Sequence, residues 1–546
     1  FFGGYYYKPR ISLDLLRQYH EGLIVLSGCL SGPLSSYLIR GDYPEARRIA
    51  LLFKEALAPG SFYGEIQPNS HPDQVKVNEG WRRLSRELDI PLVATCDSHY
   101  IEPSEAQIQE IRICVSSKTT LKDTTRAKLT TGDLHLRSSA ELFQYFSDDV
   151  SCVTNSRRIL ESCEEFSLFP DKGKIYFPKY PDVPAGSSAN QELRRLAHQG
   201  LKKKYGDQAS QHEARLNYEL DVICNLGFAD YFLIVADLLD WGRRNGCPTG
   251  IGRGSVAGAI TAYVLGITEI CPIRFGLYFE RFLNPARVSP PDADLDLCQD
   301  NRWRVIDYVR NKYGDDHVCQ IITFGLSKAK MALRDVARVM DFSAKEINDL
   351  GKMVPEDPKM TLEKALQLSP DLQQTLSLPR YKEVYEAAKK IEGVARHTGV
   401  HAAGVVISDL PLLERIPVAK QPGDDKPVTT QFAMSEVEEV GLLKMDLLGL
   451  KTLTVVQDCL NQIQKNWGIK ISWDQIPLDD FRTFSLLQSG NVNGVFQLES
   501  EGMQAVLTKM QPDRIDDLCA LVALFRPGPL EAGMVDAYIN RKHGLE

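Results

Sequence analysis

Paired cysteines are the first thing this chain lacks. Its twelve cysteines are scattered, and none forms a Cys-x-x-Cys pair. That speaks against a disulfide framework and for a reducing, cytosolic compartment. No apolar run approaches the ~20 residues of a membrane span, so no membrane association is expected. No internal repeat is visible. Positive charge is not in excess, with 64 Lys and Arg against 72 Asp and Glu, a net −8. A protein that simply coats nucleic acid is therefore disfavoured, although local charge counts for more than the sum. Basic residues do cluster at 302–310, 328–338 and 541–542. The start, Phe1-Phe2-Gly3-Gly4, has neither an initiator Met nor a signal-peptide pattern. The end, Lys542-His543-Gly544-Leu545-Glu546, has no polar tail, and the chain reads as an internal piece of something longer.

The chain has 546 residues, 43% of them hydrophobic and 25% charged, which predicts several globular domains. Residues 1–165 have α/β texture, with apolar strands expected at 22–28 and 90–95 and helices at 45–57 and 78–88. Residues 170–190, with Pro170, Pro178, Pro181 and Pro184, read as an extended crossing segment. Residues 190–247 read as helical, and 230–241 is apolar enough to be buried. A helix over 301–313 would be capped by Asp300 and stopped by Gly314. Residues 325–400 read as helical, 404–408, 428–432 and 442–446 as strands, and the remainder as helical.

Chemistry concentrates in two segments. Pro291-Asp292-Ala293-Asp294-Leu295-Asp296 alternates carboxylates with apolar residues. On a strand, Asp292, Asp294 and Asp296 would share one face. Three like charges there invite a hard cation such as Mg²⁺. Upstream lies Gly252-Arg253-Gly254-Ser255-Val256-Ala257-Gly258, whose backbone N–H groups and Arg could meet phosphates. It lacks the Gly-Lys-Ser/Thr ending of a P-loop and is equally readable as a tight turn before a helix. Carboxylates, metal and phosphate together suggest phosphoryl or nucleotidyl transfer.

Further candidates have two readings each. Asp446 closes an apolar run and is either a ligand or the partner of Lys444. Arg281 and Arg287 could pair carboxylates or meet a triphosphate. Cys29, Asp97 and His99 each end or follow a strand, with plausible metal-ligand spacing for Asp97 and His99. His397 and His401 are better read as packing and hydrogen-bonding residues.

The ordered set of these motifs resembles the C-family DNA polymerases, the bacterial replicative polymerase III alpha subunits. It includes Phe279-Glu280-Arg281-Phe282-Leu283-Asn284-Pro285, Gln320-Ile321-Ile322-Thr323-Phe324-Gly325, Gly399-Val400-His401-Ala402-Ala403-Gly404 and Lys444-Met445-Asp446-Leu447-Leu448-Gly449-Leu450. Val495-Phe496-Gln497-Leu498-Glu499-Ser500 and Ala523-Leu524-Phe525-Arg526-Pro527-Gly528-Pro529 continue it. Ala293 and Ala259 depart from the family pattern without removing a ligand.

The resemblance implies a multidomain α/β and α+β protein. It would comprise part of a PHP-type α/β barrel (1–165), a nucleotidyltransferase-like palm (166–323 and 402–451), a helical thumb (324–401) and the start of helical fingers (452–546). It implies Asp292, Asp294 and Asp446 as catalytic ligands of two Mg²⁺, with Asp296 less essential. It also implies Arg253, Gly254, Ser255, Arg281 and Lys444 around the triphosphate. Thumb residues Lys328, Lys330 and Arg334 would contact duplex phosphates. Cys29, Asp97 and His99 would belong to a PHP site for Zn²⁺, Mn²⁺ or Fe. The implied partners are primer–template DNA and deoxynucleoside triphosphates. For the whole protein, a sliding clamp, a proofreading exonuclease subunit and a clamp loader join them. The expected activity is template-directed DNA synthesis, with little from this chain alone. The competing readings are a PHP-type phosphoesterase or 3′–5′ exonuclease, and a non-catalytic assembly module.

Overall fold

The computed structural model describes residues 10–129, 131–165, 167, 174–284, 291–357, 359–420, 428–471 and 475–546. Arg287, Pro170, Pro285, Pro290 and the first nine residues lie outside them. The described strands are β1 (Val25–Leu26), β2 (Phe62–Ile66), β3 (Leu92–Ala94), β4 (Asp294–Cys298), β5 (Val318–Leu326), β6 (Ala395–Ile407), β7 (Val418–Lys420), β8 (Val428–Thr430) and β9 (Lys444–Leu450). Among the described residues no single helix is long and apolar enough to cross a membrane. The chain divides into two compact units.

The first unit comprises residues 1–172, 322–400 and 418–433. Its three parallel strands run β1-β2-β3, with Val25 opposite Phe62 and Gly64 opposite Leu92. The central strand was missed from sequence. Phe62, Gly64 and Ile66 alternate inward, but the buried Gly64 breaks the apolar pattern. A side chain at Gly64 would overlap the Trp81 ring, which fills that space. Trp81, Leu84 and Val77 of the helix Pro72–Leu88 pack with Phe62 and Ile66 in one core. The expected strand at 22–28 shrinks to Val25–Leu26, because Gly22 and Gly28 both adopt positive φ.

A second core joins Ile111, Cys114 and Val115 of the helix Ala106–Ser117 to Leu333, Val336 and Ala337 of the helix Ala329–Val339. Helical texture was expected through residue 400, yet the last helix there ends at Ile391 and β6 begins at Ala395. Gly393, at φ 79, breaks the helix. In this unit the sheet order is β6-β5-β8-β7. The His397 ring lies against the Gly325 backbone, a position where any side chain on residue 325 would collide.

The second unit comprises residues 173–321, 401–417 and 434–546. Three helices, Ala189–Tyr205, Ala209–Asn225 and Ala229–Arg244, lie over a sheet ordered β4-β9-β6-β5. As expected, Tyr231, Phe232, Leu233, Ile234, Val235, Leu238 and Leu239 are buried. They share a core with Leu295, Leu297, Met445 and Leu447 from the sheet. The helix after β4 is Arg302–Tyr313, and its N-cap is Asn301 rather than Asp300. Asn301 has φ −112 and ψ −2, outside the extended cap geometry, and makes no side-chain cap bond. Gly314 ends the helix at φ 101, as expected.

β4 lies at the end of the strand order, and chain segment 248–250 runs along its open side. Gly250 N–H donates to the Asp296 carbonyl and Cys298 N–H to the Pro248 carbonyl, each at 2.8 Å. Residues 484–539 form a further core of Phe484, Leu507, Met510, Leu521 and Ile539. Lys542 bonds Asp513 and the buried Asp517 at 2.7 Å each, so this basic residue serves the fold.

Gly200 provides a test of the helix packing. A methyl group there would collide with the Val264 backbone carbonyl, which has no side-chain freedom with which to yield. Gly→Ala inside a helix ordinarily stabilises by about 0.5–1 kcal/mol. Gly200→Ala should instead destabilise by about 1–3 kcal/mol, read as a lower urea midpoint. An unchanged or higher midpoint would contradict the packing.

Candidate active site

The alternation read from sequence is present. Pro291, Ala293, Leu295 and Leu297 are buried, while Asp292, Asp294 and Asp296 turn to the other face. Asp292 lies two residues before the start of β4 rather than in it. Burial of the apolar set fixes the register, because a slip of one residue would place the carboxylates in the core.

β9 pairs with β4 in parallel, and the register sets Asp294 opposite Asp446. On its other side β9 is antiparallel to β6, with Gly404 opposite Asp446. Two carboxylate positions about 150 residues apart in the chain thus become neighbours. His401 Nδ1 accepts the Ala403 and Gly404 N–H groups at 3.2 and 2.7 Å, the hydrogen-bonding role expected for it.

Two cations meet these acids. Lys444 Nζ lies 2.7 Å from Asp446 Oδ2, and both side chains are nearly buried. Arg253 lies 3.1 Å from Asp296 and 3.7 Å from Asp294. Arg253 was expected beside phosphate, and in this structure its guanidinium faces carboxylates. The Asp296 side chain is 10% exposed and that of Asp294 42%, so Asp294 is the more open of the two.

Electrostatics agree with the crowding. Burial raises the Asp292 pKa above the ordinary value, and Asp446 and Asp294 raise it further against the opposing pull of Lys444. Burial also raises Asp296, partly offset by Arg253. Burial would lower Lys444, but the bond to Asp446 and the nearby Asp292 outweigh it and raise its pKa.

Tyr231 was missed from sequence. Its buried hydroxyl accepts the Ala293 N–H at 2.9 Å, which ties the helix Ala229–Arg244 to the residue between Asp292 and Asp294. Burial pushes its phenol pKa up, and the adjacent acids add to this. A lone Tyr inside the apolar run 229–241 was the available signal.

The Gly-rich turn enters a short 3₁₀ helix, Ser255–Gly258. Gly254 has φ 68 and ψ −158, a backbone conformation that glycine tolerates best. Arg253, Gly254 and Ser255 are exposed. Gly258 lies directly against the Tyr278 carbonyl, so the turn sits beside the 3₁₀ helix Phe279–Arg281, whose Arg281 is exposed.

The remaining candidates lie in the first unit. Lys328 is the N-cap residue of the helix Ala329–Val339 and is exposed. Lys330 lies 3.5 Å from Glu356, and Arg334 donates to Asn348 at 2.9 Å. His99 is 3.7 Å from Asp97, which holds φ 47, and Cys29 follows the end of β1. Glu65 of β2, also missed, accepts Gly28 N–H at 3.0 Å and the Thr95 hydroxyl.

Among the described residues no three His, Cys, Asp or Glu side chains converge to hold a metal ion. The structure therefore assembles neither Cys29, Asp97 and His99 nor Asp292, Asp294 and Asp446 into a closed ligand set. In the second unit, Lys444 and Arg253 draw on the same carboxylates that a metal would use. One observation there fits a cation: Asp446 Oδ1 is buried and has no hydrogen-bond partner among the described residues.

Three family models match the chain. Residues 191–449 match the family model for the bacterial DNA polymerase III alpha NTPase domain. Residues 452–546 match the finger domain of that subunit, and 1–69 match the PHP domain. The chain belongs to the bacterial DNA polymerase III alpha family. It is 40% identical over 578 residues to the DNA polymerase III subunit alpha of Aquifex aeolicus, covering 100% of this chain and 49% of that protein. It is 42% identical over 545 residues to that of Borreliella burgdorferi, covering 100% and 47%. Against that of Pseudomonas aeruginosa it is 40% identical over 550 residues, covering 98% and 46%. The chain spans about half the length of the curated relatives it matches.

Two outcomes test the electrostatics. An Asp whose folded pKa is raised costs stability once it ionises, so wild-type stability falls as pH rises from the ordinary value of 3.8 through the raised one. In metal-free buffer Asp292→Asn should therefore melt higher than wild type at pH 7. The difference should vanish near pH 3, where both forms are neutral at this position. Separately, elemental analysis of the purified chain should find well under one Zn²⁺, Mn²⁺ or Fe per molecule. Stoichiometric metal lost on Asp97→Ala and His99→Ala would show a more complete site.

Proposed function

We propose that this chain carries the catalytic centre of a template-directed DNA polymerase, transferring a nucleotidyl group from a deoxynucleoside triphosphate to a primer 3′-hydroxyl. The observation that carries the reading is the β4–β9 register, which places Asp294 beside Asp446 with Asp292 just before the strand. Asp292, Asp294 and Asp446 would hold Mg²⁺, which supplies charge to activate the hydroxyl and neutralise the departing pyrophosphate. The family membership and the unpartnered Asp446 Oδ1 support that ligand set.

The protein's own groups have distinct tasks. Lys444 compensates the buried Asp446 charge and keeps the site from closing on unpaired anions. Arg253 holds Asp296 aside, which makes Asp296 a counter-ion rather than a principal ligand. Gly254, Ser255 and Arg281 form the side that receives the triphosphate, through backbone N–H groups and a guanidinium fork. No protein nucleophile is required, and positioning with charge stabilisation suffices.

On this reading residues 166–323 and 402–451 form a palm, 324–401 a thumb and 452–546 the beginning of fingers, with 1–165 part of a PHP domain. Lys328, Lys330 and Arg334 would give salt-dependent, sequence-independent contacts to primer–template phosphates. Lys330 and Arg334 would have to exchange the weak surface contacts they make with Glu356 and Asn348. A sliding clamp, a proofreading exonuclease subunit and a clamp loader would be partners of the whole protein, in the cytoplasm.

The test is primer extension by the full-length protein. Asp294→Asn and Asp446→Asn should each lower the extension rate by at least about 10³-fold, and Asp294→Asn should do so without lowering the melting temperature. Asp296→Asn should retain measurable synthesis, because Arg253 already occupies that carboxylate. Extension within tenfold of wild type by either of the first two variants would sink the ligand assignment.

A further inference from the structure

One helix holds both segments that the proposed function assigns to the triphosphate. On the helix Ala209–Asn225, Arg215, Tyr218 and Glu219 share a face, at spacings of three and four residues. Glu219 is fully buried. Its Oε1 accepts the Ile260 N–H at 3.1 Å, and its Oε2 accepts the Thr261 N–H at 2.9 Å and the Thr261 hydroxyl at 3.0 Å. Arg215 Nε donates to Glu219 Oε1 at 2.8 Å, and Arg215 Nη2 donates to the Gly258 carbonyl at 3.3 Å. These bonds fasten residues 258–261, where the turn carrying Arg253, Gly254 and Ser255 ends.

The same helix reaches the second segment. The Tyr218 hydroxyl donates to Glu280 Oε1 at 3.3 Å, and its ring meets Phe279 edge-on with centroids 6.1 Å apart. Phe279 is fully buried, and Arg281 follows two residues later. Between the two segments, Gly258 abuts the Tyr278 carbonyl, leaving no room for a side chain.

We infer that Arg215, Tyr218 and Glu219 are positioning residues for nucleotide binding, setting the spacing between the Ser255 turn and Arg281 so that both meet one triphosphate. The burial of Glu219 has a physical cost that folding alone does not require. A carboxylate removed from water is expensive, and an apolar pair of similar volume at 215 and 219 would serve packing as well. What the carboxylate adds is direction, because its two oxygens bind three donors on two consecutive residues. The cradle contacts the phosphates and not the base, so its disturbance should weaken all four deoxynucleoside triphosphates alike. This inference rests on the proposed reading of the Ser255 turn and Arg281.

The experiment is steady-state primer extension by the full-length protein, with each of dATP, dCTP, dGTP and dTTP varied in turn. The variants are Glu219→Gln and Arg215→Lys, which conserve size, with Glu213→Gln as a control on an exposed position of the same helix. Hydrogen exchange of the Ile260 and Thr261 amides is followed alongside. Glu219→Gln keeps one acceptor oxygen, and its amide opposes the remaining donors. It should raise KM for every deoxynucleotide about tenfold, with kcat changed less than threefold, and speed exchange at residues 260 and 261. Arg215→Lys should lie between it and wild type, and Glu213→Gln should match wild type. A lower kcat at unchanged KM would mean loss of folded protein only and would overturn the inference. So would faster amide exchange at unchanged KM. A wild-type protein that shows no extension would instead overturn the proposed function, and the positioning role with it.

Discussion

The acidic face of the second unit turns on two strands lying in parallel with acids in register. Asp294 and Asp446 sit opposite each other on β4 and β9. Adjacent strands are about 4.8 Å apart. Two carboxylates at that spacing would repel by about 3–4 kcal/mol at an effective dielectric near 20. The apolar residues facing the other way hold the pairing against that repulsion. Leu295, Leu297, Met445 and Leu447 all lie in the core beneath the helix Ala229–Arg244. A sheet stabilised on one face can thus carry a destabilising charge pattern on the other.

The cations are part of the same balance. Lys444 stands two residues from Asp446 on the strand and pairs with it, whereas Arg253 arrives from a loop and pairs across to Asp296 and Asp294. The acids therefore have counter-charges within the chain itself. Of the two readings of Asp446, the structure shows the ion pair with Lys444; the ligand role belongs to the proposed function and would use the other oxygen. One of its oxygens is taken by Lys444, and the other is buried without a hydrogen-bond partner among the described residues.

How much of this was visible in the linear sequence depends on the range of each interaction. The alternation over 291–297 is a local pattern and predicts the observed faces. The adjacency of Asp294 and Asp446 is a pairing across about 150 residues, which no local pattern encodes. It was anticipated only through the resemblance to a polymerase family. β2 was missed because Gly64 interrupts its apolar set, and the reason for that glycine, the Trp81 ring, lies on another element. Asp300 looked like a helix cap by residue type, but the helix starts after Asn301. Tyr231 and Glu219 each break an apolar helical face. Such breaks are visible in sequence, but what the polar atom reaches is not.

The short segment alongside β4 has a consequence of a different kind. A terminal strand offers unpaired backbone groups to any passing chain and so invites unwanted oligomers. Here Pro248 and Gly250 engage Cys298 and Asp296 along that side. Pro248 has no N–H of its own to offer. Gly250 passes so close to Asp296 that a methyl group in its place would stand 2.7 Å from the Asp296 Cβ. The carboxylate-bearing strand is thereby insulated against β-sheet aggregation by three residues whose covering adds almost no bulk. An acidic face can then stay open to solutes while its backbone remains closed to other polypeptides.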